Sequence, residues 1–459
     1  MSTPTSGSEF DALRREFDVA GAAELHGEAF LRSALPVSDL ATEAFTTLAL
    51  ALSALMEKLG FPEAAEVHVD RTLCDTWFGM QVRPVGWSPA SPWDLLSGSF
   101  ATADGSWIRT HANAPHHRAA LLRVLGLAGA AEPVESAAVA ERIAAWNAVD
   151  LESAIVDAGG ASAAFRSPGA WTASAPGQAV QLEPLIEYSP TAKWDDATTW
   201  SPTSRRPLAG LRVLDLTRVI AGPTCTQVLA GLGADVLRVD PPAWDEPGVL
   251  PMVMAGKRSV RLDAHDAAER GILHGLLTEA DVLVHGYRAG AMEHLGLSEA
   301  ERRHLRPGLV DVSERAFGWT GPWAERRGFD SLVQFASGIA HVGMTASGEH
   351  APVSLPTQAL DWSTGYLAAA ATILGLAERF DTDRGSSWRL SLARTAHTLL
   401  TMPRGAQMPA GGRPDVPGTL IATELGDVVL ADSPIRVGAA RLTYDRITTA
   451  LGGDTATWR

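Results

Sequence analysis

Asp361 stands in the run LDWSTGYLAAAATILGL, directly ahead of a stretch of good helix formers. A carboxylate in that position can cap the free N–H groups of the first turn, the role that position alone favours. The same helix end stabilises the ionised form, which is the form that attacks an electrophilic carbonyl. A second candidate is the turn Ala221-Gly222-Pro223 between a strand and a helix. Proline at the first helical position gives up no needed N–H, and glycine before it lets the backbone approach a ligand. The turn therefore reads as an anion site or as an ordinary strand-to-helix turn. The chain carries a formal net charge of −15, so a polyanionic ligand must be met by local cations rather than by the overall field, and general nucleic-acid or anionic-membrane affinity is disfavoured. Such cations exist at Arg218, Arg238, Lys257, Arg258, Arg288, Arg326 and Arg327.

Other chemistries find less support. His111, His116 and His117, with Asp104 nearby, lack a matching carboxylate or thiolate set, and PHHR reads better as the start of a helix, so no metal site is expected. Cys74 and Cys225 are the two cysteines, too few for a disulfide framework, and Cys225 falls in an apolar helix where a small buried residue fits better than a nucleophile. Neither a G-x-S-x-G elbow nor a P-loop is present.

The elements that position these residues follow from pattern. Residues 212–216 form a β-branched and leucine-rich strand, 224–232 a helix and 235–239 a second strand, joined by a right-handed crossover. Asp240 ends that second strand as a ribose-binding acid would. A dinucleotide fingerprint nevertheless needs three glycines in the first turn; here only Gly222 lies there, while Gly231 and Gly233 cap the far end of the helix. Strands at 259–262, 281–284 and 309–312 and a helix at 265–277 continue the alternation, which predicts a doubly wound, Rossmann-like parallel α/β sheet domain with a second, smaller α+β domain. The Pro-, Thr-, Ser- and Asp-rich stretch 190–207 is the expected linker. It separates 1–189 from 208–400, with 401–459 as a C-terminal tail. The apolar helices around 48–55 and 366–376 are expected to be too short and interrupted to cross a bilayer, and MSTPTSGSEF lacks the features of a signal peptide.

The segment LAGLRVLDLTRVIAGPTCTQVLAGLGADVLRVD, followed in order by GKRSVRLD, ADVLVHGYRAGAMEHLGL, RPGLVDVSERAFGWTGPWAERRGFDSLVQFASGIA and LDWSTGYLAAAATILGLAER, resembles the family III CoA-transferases. This family, also called CaiB/BaiF, includes formyl-CoA and carnitine CoA-transferases and α-methylacyl-CoA racemases. The text of 1–189 resembles the part that normally follows the nucleophile, so the halves stand in swapped order. A faint repeat links Leu35-Pro36, Asp39 and VHVDRTL with Leu355-Pro356, Asp361 and WRLSLART.

The resemblance implies that Asp361 attacks the thioester carbonyl and becomes a CoA thioester itself. It also implies CoA contacts at Val219, Ala221, Gly222, Lys257, Arg258 and Tyr287, with Arg288 and Arg327 as further cations beside them. Ile220, Gly286 and His294 depart from the residues of formyl-CoA transferases. Racemase relatives carry histidine where this chain has Phe329, and phenylalanine transfers no proton, so racemisation is the weaker reading. A non-catalytic CoA-binding protein is a second rival. The expected partners are an acyl-CoA and a carboxylic acid, with no cofactor besides CoA as part of the substrate, no nucleic acid and no membrane; a homodimer is implied, and a cytoplasmic location is expected.

Overall fold

Seven strands build the central sheet: β1 (Glu187–Lys193), β2 (Arg212–Leu216), β3 (Asp235–Asp240), β4 (Arg258–Arg261), β5 (Val282–His285), β6 (Val310–Arg315) and β7 (Arg384–Ser391). In this computed structural model, residues 12–129, 134–193, 200–404, 412–447 and 450–459 are described. The strand order is β4-β3-β2-β5-β6-β7-β1. Strands β2 to β7 run parallel, and β1 closes the edge antiparallel to β7. Without β1 this is the doubly wound order, which reverses direction between β2 and β5. The central strands are mostly buried, Val282–His285 at every position, as such apolar runs require when both faces are covered.

Five helices matter for the site: α1 (Val37–Lys58), α2 (Pro115–Val124), α3 (Ala221–Gly231), α4 (Asp330–Ser337) and α5 (Ala359–Thr382). Helix α5 packs on both α1 and α3. Its crossing with α3 is so close that a Cβ on Gly365 would lie 2.4 Å from the Ala221 carbonyl oxygen. One apolar core contains Leu40, Phe45 and Leu48 of α1 together with Tyr366, Ala369 and Ile373 of α5. A separate small core at Leu96, Ile108, Leu121, Leu151 and Ile155 belongs to the smaller α+β part.

Three sequence boundaries change. The expected linker at 190–207 begins inside β1, whose residues through Lys193 pair with β7; 194–199 lie outside the described residues. The expected tail at 401–459 holds strands that pair with the N-terminal segment, Gly426–Ala431 against Val82–Pro84 and Ile435–Val437 against Val67–Asp70. Helix α1 runs for 22 residues, so it has the length and apolarity to span a bilayer that sequence denied it; yet 89% of its most apolar window is buried inside the protein. Local patterning failed there because the Thr and Ser residues that interrupt the apolar run sit inside the core, several bonding to carbonyls one turn earlier.

Candidate active site

Asp361 is the third residue of α5, not its cap. The capping is done from a distance: Asp330, first residue of α4, accepts the N–H groups of Leu360 and Asp361 on Oδ2, at 2.8 and 3.0 Å. Its other oxygen accepts from Gln334, whose carbonyl oxygen accepts Leu355 N–H at 2.8 Å. The side chain of Asp361 is thereby left to face a cavity of about 660 Å³.

That cavity lies at the carboxyl ends of β2, β3, β5 and β6, on the side where doubly wound sheets bind ligands. Glu314, from β6, lines it too; Glu314 Oε1 accepts Gly222 N–H at 2.9 Å, while Oε2 is buried without a hydrogen-bond partner among the described residues. Burial raises the pKa of Glu314 from the ordinary 4.5 to about 7. Asp330 rises to about 6, also through burial. Asp361 is pushed well above the usual carboxylate range, by burial first and then by the charges of Asp330 and Glu314. The expectation that its helix end keeps Asp361 ionised is therefore opposed: Asp330 already occupies the first-turn N–H groups, and its charge disfavours a second one.

Cations line the same cavity. Arg218 lies between Trp244 and Tyr287, with its guanidinium carbon 4.5 and 5.0 Å from the two ring centroids. Arg288 is exposed, and Arg327 donates to the Gly159 carbonyl at 3.2 Å. His116, between these three arginines in the electrostatic sense, is held neutral by burial and by their charges. The N-terminal segment thus contributes to the cavity through α2, with His117 beside His116. His117 lies edge-on to Phe329, and His111 stacks flat on Phe329 with ring centroids 3.6 Å apart. Burial lowers His111 and His117 to about 3.

The family model described as CoA-transferase family III matches residues 208–424, a span that holds β2 to β7, Glu314, Asp330 and Asp361. Over that span the chain is similar to CoA-transferase family III. An acyl-CoA transferase of Gibberella moniliformis is 30% identical over 330 residues, 66% of this chain and 56% of that protein. A succinyl-CoA:glutarate CoA-transferase of Mus musculus is 32% identical over 195 residues, 40% of this chain and 44% of that protein. A solved structure of a CAIB/BAIF family protein from Brucella suis is 25% identical, with a TM-score of 0.38, covering 50% of this chain and 66% of that one. The chain spans about half the length of the curated relatives it matches, 56%, 53% and 44% for three of them.

Within the matched segment the expected CoA contacts divide. Val219, Ala221, Tyr287, Arg288 and Arg327 line the cavity with Asp361. Val219 does so in a left-handed backbone conformation, φ 68°, which a β-branched residue adopts only under strain; its N–H donates to Glu246 at 3.0 Å.

Lys257, Arg258 and Gly222 do not line the cavity. Lys257 is fully buried, its ammonium 3.0 Å from Asp215 and 2.7 Å from the Pro223 carbonyl. Arg258 forms a two-pronged bond with Asp235 at 2.9 and 2.8 Å. Both charges are neutralised inside the protein, which corrects their assignment to phosphates.

Gly222 also serves packing, since a Cβ there would lie 2.4 Å from Thr217. Pro223 is the third residue of α3 rather than the first, where its missing N–H is still one of the unbonded four. The anion at that helix start is the protein's own Glu314 carboxylate. Cys225 is fully buried and burial pushes its thiol far up, so it is no nucleophile.

Sequence reasoning missed Glu314, the capping role of Asp330, and the entry of His116 and His117. The glutamate closing RPGLVDVSE at the carboxyl end of a predicted strand was the available signal for the first.

Proposed function

We propose that the protein transfers CoA from an acyl-CoA to a carboxylic acid with Asp361 as the covalent carrier. The observation that carries this reading is a buried carboxylate at the start of α5, opening into a cavity that also presents Arg218, Arg288 and Arg327. The arginines suit the phosphates of CoA, and the rings of Tyr287 and Trp244 suit a planar base. Asp361 attacks the thioester carbonyl carbon, and CoA leaves as thiolate, giving a mixed anhydride. The thiolate then attacks the Asp361 carbonyl carbon and expels the donor acid as carboxylate, leaving CoA on Asp361 as a thioester. An acceptor carboxylate repeats the two steps in reverse order, releasing the new acyl-CoA and restoring Asp361. No resident cofactor takes part.

A homodimer belongs to the same proposal through the resemblance, and a reducing cytosol is supported by two buried, unpaired thiols. The test is intact and peptide mass analysis after incubation with a panel of acyl-CoAs. An adduct on Asp361 that hydroxylamine or borohydride traps is expected. A ligand that binds tightly yet leaves no adduct would instead identify a passive CoA binder.

One observation favours proton exchange at the α-carbon as a second reading: His117 stands beside Phe329 in the cavity that holds Asp361. An imidazole whose conjugate acid titrates near 3 is a poor base for such a proton, which leaves transfer the stronger reading. Substrate recovered from heavy water without deuterium is the expected result, and rapid α-deuteration would support the histidine instead.

A further inference from the structure

We propose a divalent transition-metal site at Glu24, His26 and His68, on the N-terminal sheet and apart from the cavity of Asp361. Residues Glu24–His26 form a three-residue strand paired in parallel with Val67–Asp70, in a register that sets Glu24 beside His68. Glu24 and His26 are two apart on one strand, so both project to the same face. On that face three ligand atoms converge. His26 Nε2 and His68 Nδ1 are 3.2 Å apart. One carboxylate oxygen of Glu24 lies 3.5 Å from the first nitrogen, and the other lies 3.3 Å from the second.

Protons alone satisfy this arrangement poorly. A single proton can lie between the two ring nitrogens; the accepting nitrogen then has no proton to donate to the carboxylate oxygen beside it. If both nitrogens carry protons, both can donate to Glu24 but their hydrogens oppose each other. One cation above the triangle meets all three lone pairs. Ligands about 2.0–2.1 Å from a tetrahedral Zn²⁺ stand about 3.3 Å apart, close to all three distances here. Two imidazoles and one carboxylate select a borderline ion such as Zn²⁺ or Co²⁺ over Mg²⁺ or Ca²⁺. Glu24 and His26 are exposed, which leaves the fourth position to water. The nearest cation on the neighbouring strand, Arg436 opposite His68, is directed to Glu66 and the Gly438 carbonyl. Bound metal would clip the short edge strand to the sheet.

The test uses the full chain without a histidine tag, stripped with chelator and then titrated with Co²⁺ and with Zn²⁺. One equivalent of Co²⁺ should develop the visible absorption of a low-coordinate nitrogen and oxygen site, and Zn²⁺ should displace it and raise the melting temperature. His26→Ala and His68→Ala should each lose affinity by about tenfold or more, with Glu24→Gln also weaker. All three should keep the wild-type circular dichroism, because two of the side chains are exposed and the third half-buried. Failure of the wild-type protein to bind either ion overturns the site, whatever the variants do. Undiminished one-to-one binding in the His26→Ala/His68→Ala double variant overturns it as well.

Discussion

Asp361 shares its surroundings with two other carboxylates, and that crowding sets both reactivity and stability. Exchange by Asp361→Asn should vanish while circular dichroism stays unchanged, since the amide keeps the size but is a poor nucleophile. Because burial, Asp330 and Glu314 raise the pKa of Asp361, exchange should fall as pH drops, and Glu314→Gln should move that acid limb to lower pH by removing one negative neighbour. The same substitution carries a stability signature. Glu314 titrates near 7 when folded and near 4.5 otherwise, so the folded state holds an extra proton between those values. Its stabilising effect is complete below 4.5 and is lost as pH rises through 7. Glu314→Gln should therefore gain on wild type between pH 5 and pH 8, by at most on the order of 3 kcal/mol, read from melting curves at both values.

Lys257 shows what sequence concealed at this scale. A basic pair in GKRSVRLD looks like a phosphate grip, and nothing local reveals that Asp215 and Asp235 wait inside for it. Lys257→Ala should cost about 3 kcal/mol or more of stability, because Asp215 is left charged and buried. Arg327→Ala, by contrast, should weaken CoA binding in a salt-sensitive way in calorimetry, with little change in melting.

At the scale of elements, periodicity read well wherever a strand or helix is decided by its own residues. Strand 212–216 was legible to the residue, and its parallel neighbours to within a few positions, because buried parallel strands are short continuous apolar runs. Helix starts were less legible. Both α3 and α5 begin without a side-chain cap of their own, so the usual Ser, Thr, Asp or Asn signal is missing. Their first-turn N–H groups are bonded by carboxylates from other elements, Glu314 for α3 and Asp330 for α5. Such caps connect residues 92 and up to 31 positions apart and have no local spacing. Asp330→Ala should accordingly lower stability by ~2 kcal/mol and slow exchange, since two buried N–H groups lose their acceptor and the start of α5 loosens. Asp330→Asn, which keeps one carbonyl acceptor, should recover most of the stability.

The faint repeat read in the sequence has a structural counterpart, and it bears on the molecule as a whole. Helices α1 and α5 both follow a residue near φ −76° and ψ 61–62°, and each carries an aspartate as its third residue. Each leads to a strand and then a side-chain-capped helix, the cap being Asp70 in one case and Ser391 in the other, with a 3-10 turn at Pro62–Ala65 intervening only after α1. The two aspartates differ in their neighbours: Asp39 is held by Arg71 at 2.7 Å, while Asp361 faces the cavity.

The two helices pack against each other, so the apolar face of each is covered by the other repeat. A linker drawn from composition divides the chain at a point where the core does not divide. The N-terminal segment covers α5, supplies His116 and His117 to the cavity, and pairs with strands of the last fifty residues. The region matched to family III should therefore be unable to stand alone. A chain starting at residue 200 should aggregate or remain molten, with weak near-ultraviolet circular dichroism, because the α1-facing side of α5 would be exposed to water. Co-expression with residues 1–199 should restore a soluble complex that binds CoA. The intact chain should melt in one transition seen alike by far-ultraviolet circular dichroism and tryptophan fluorescence. Two separated transitions, or a well-folded fragment starting at 200, would show that the shared core is not what holds the site together.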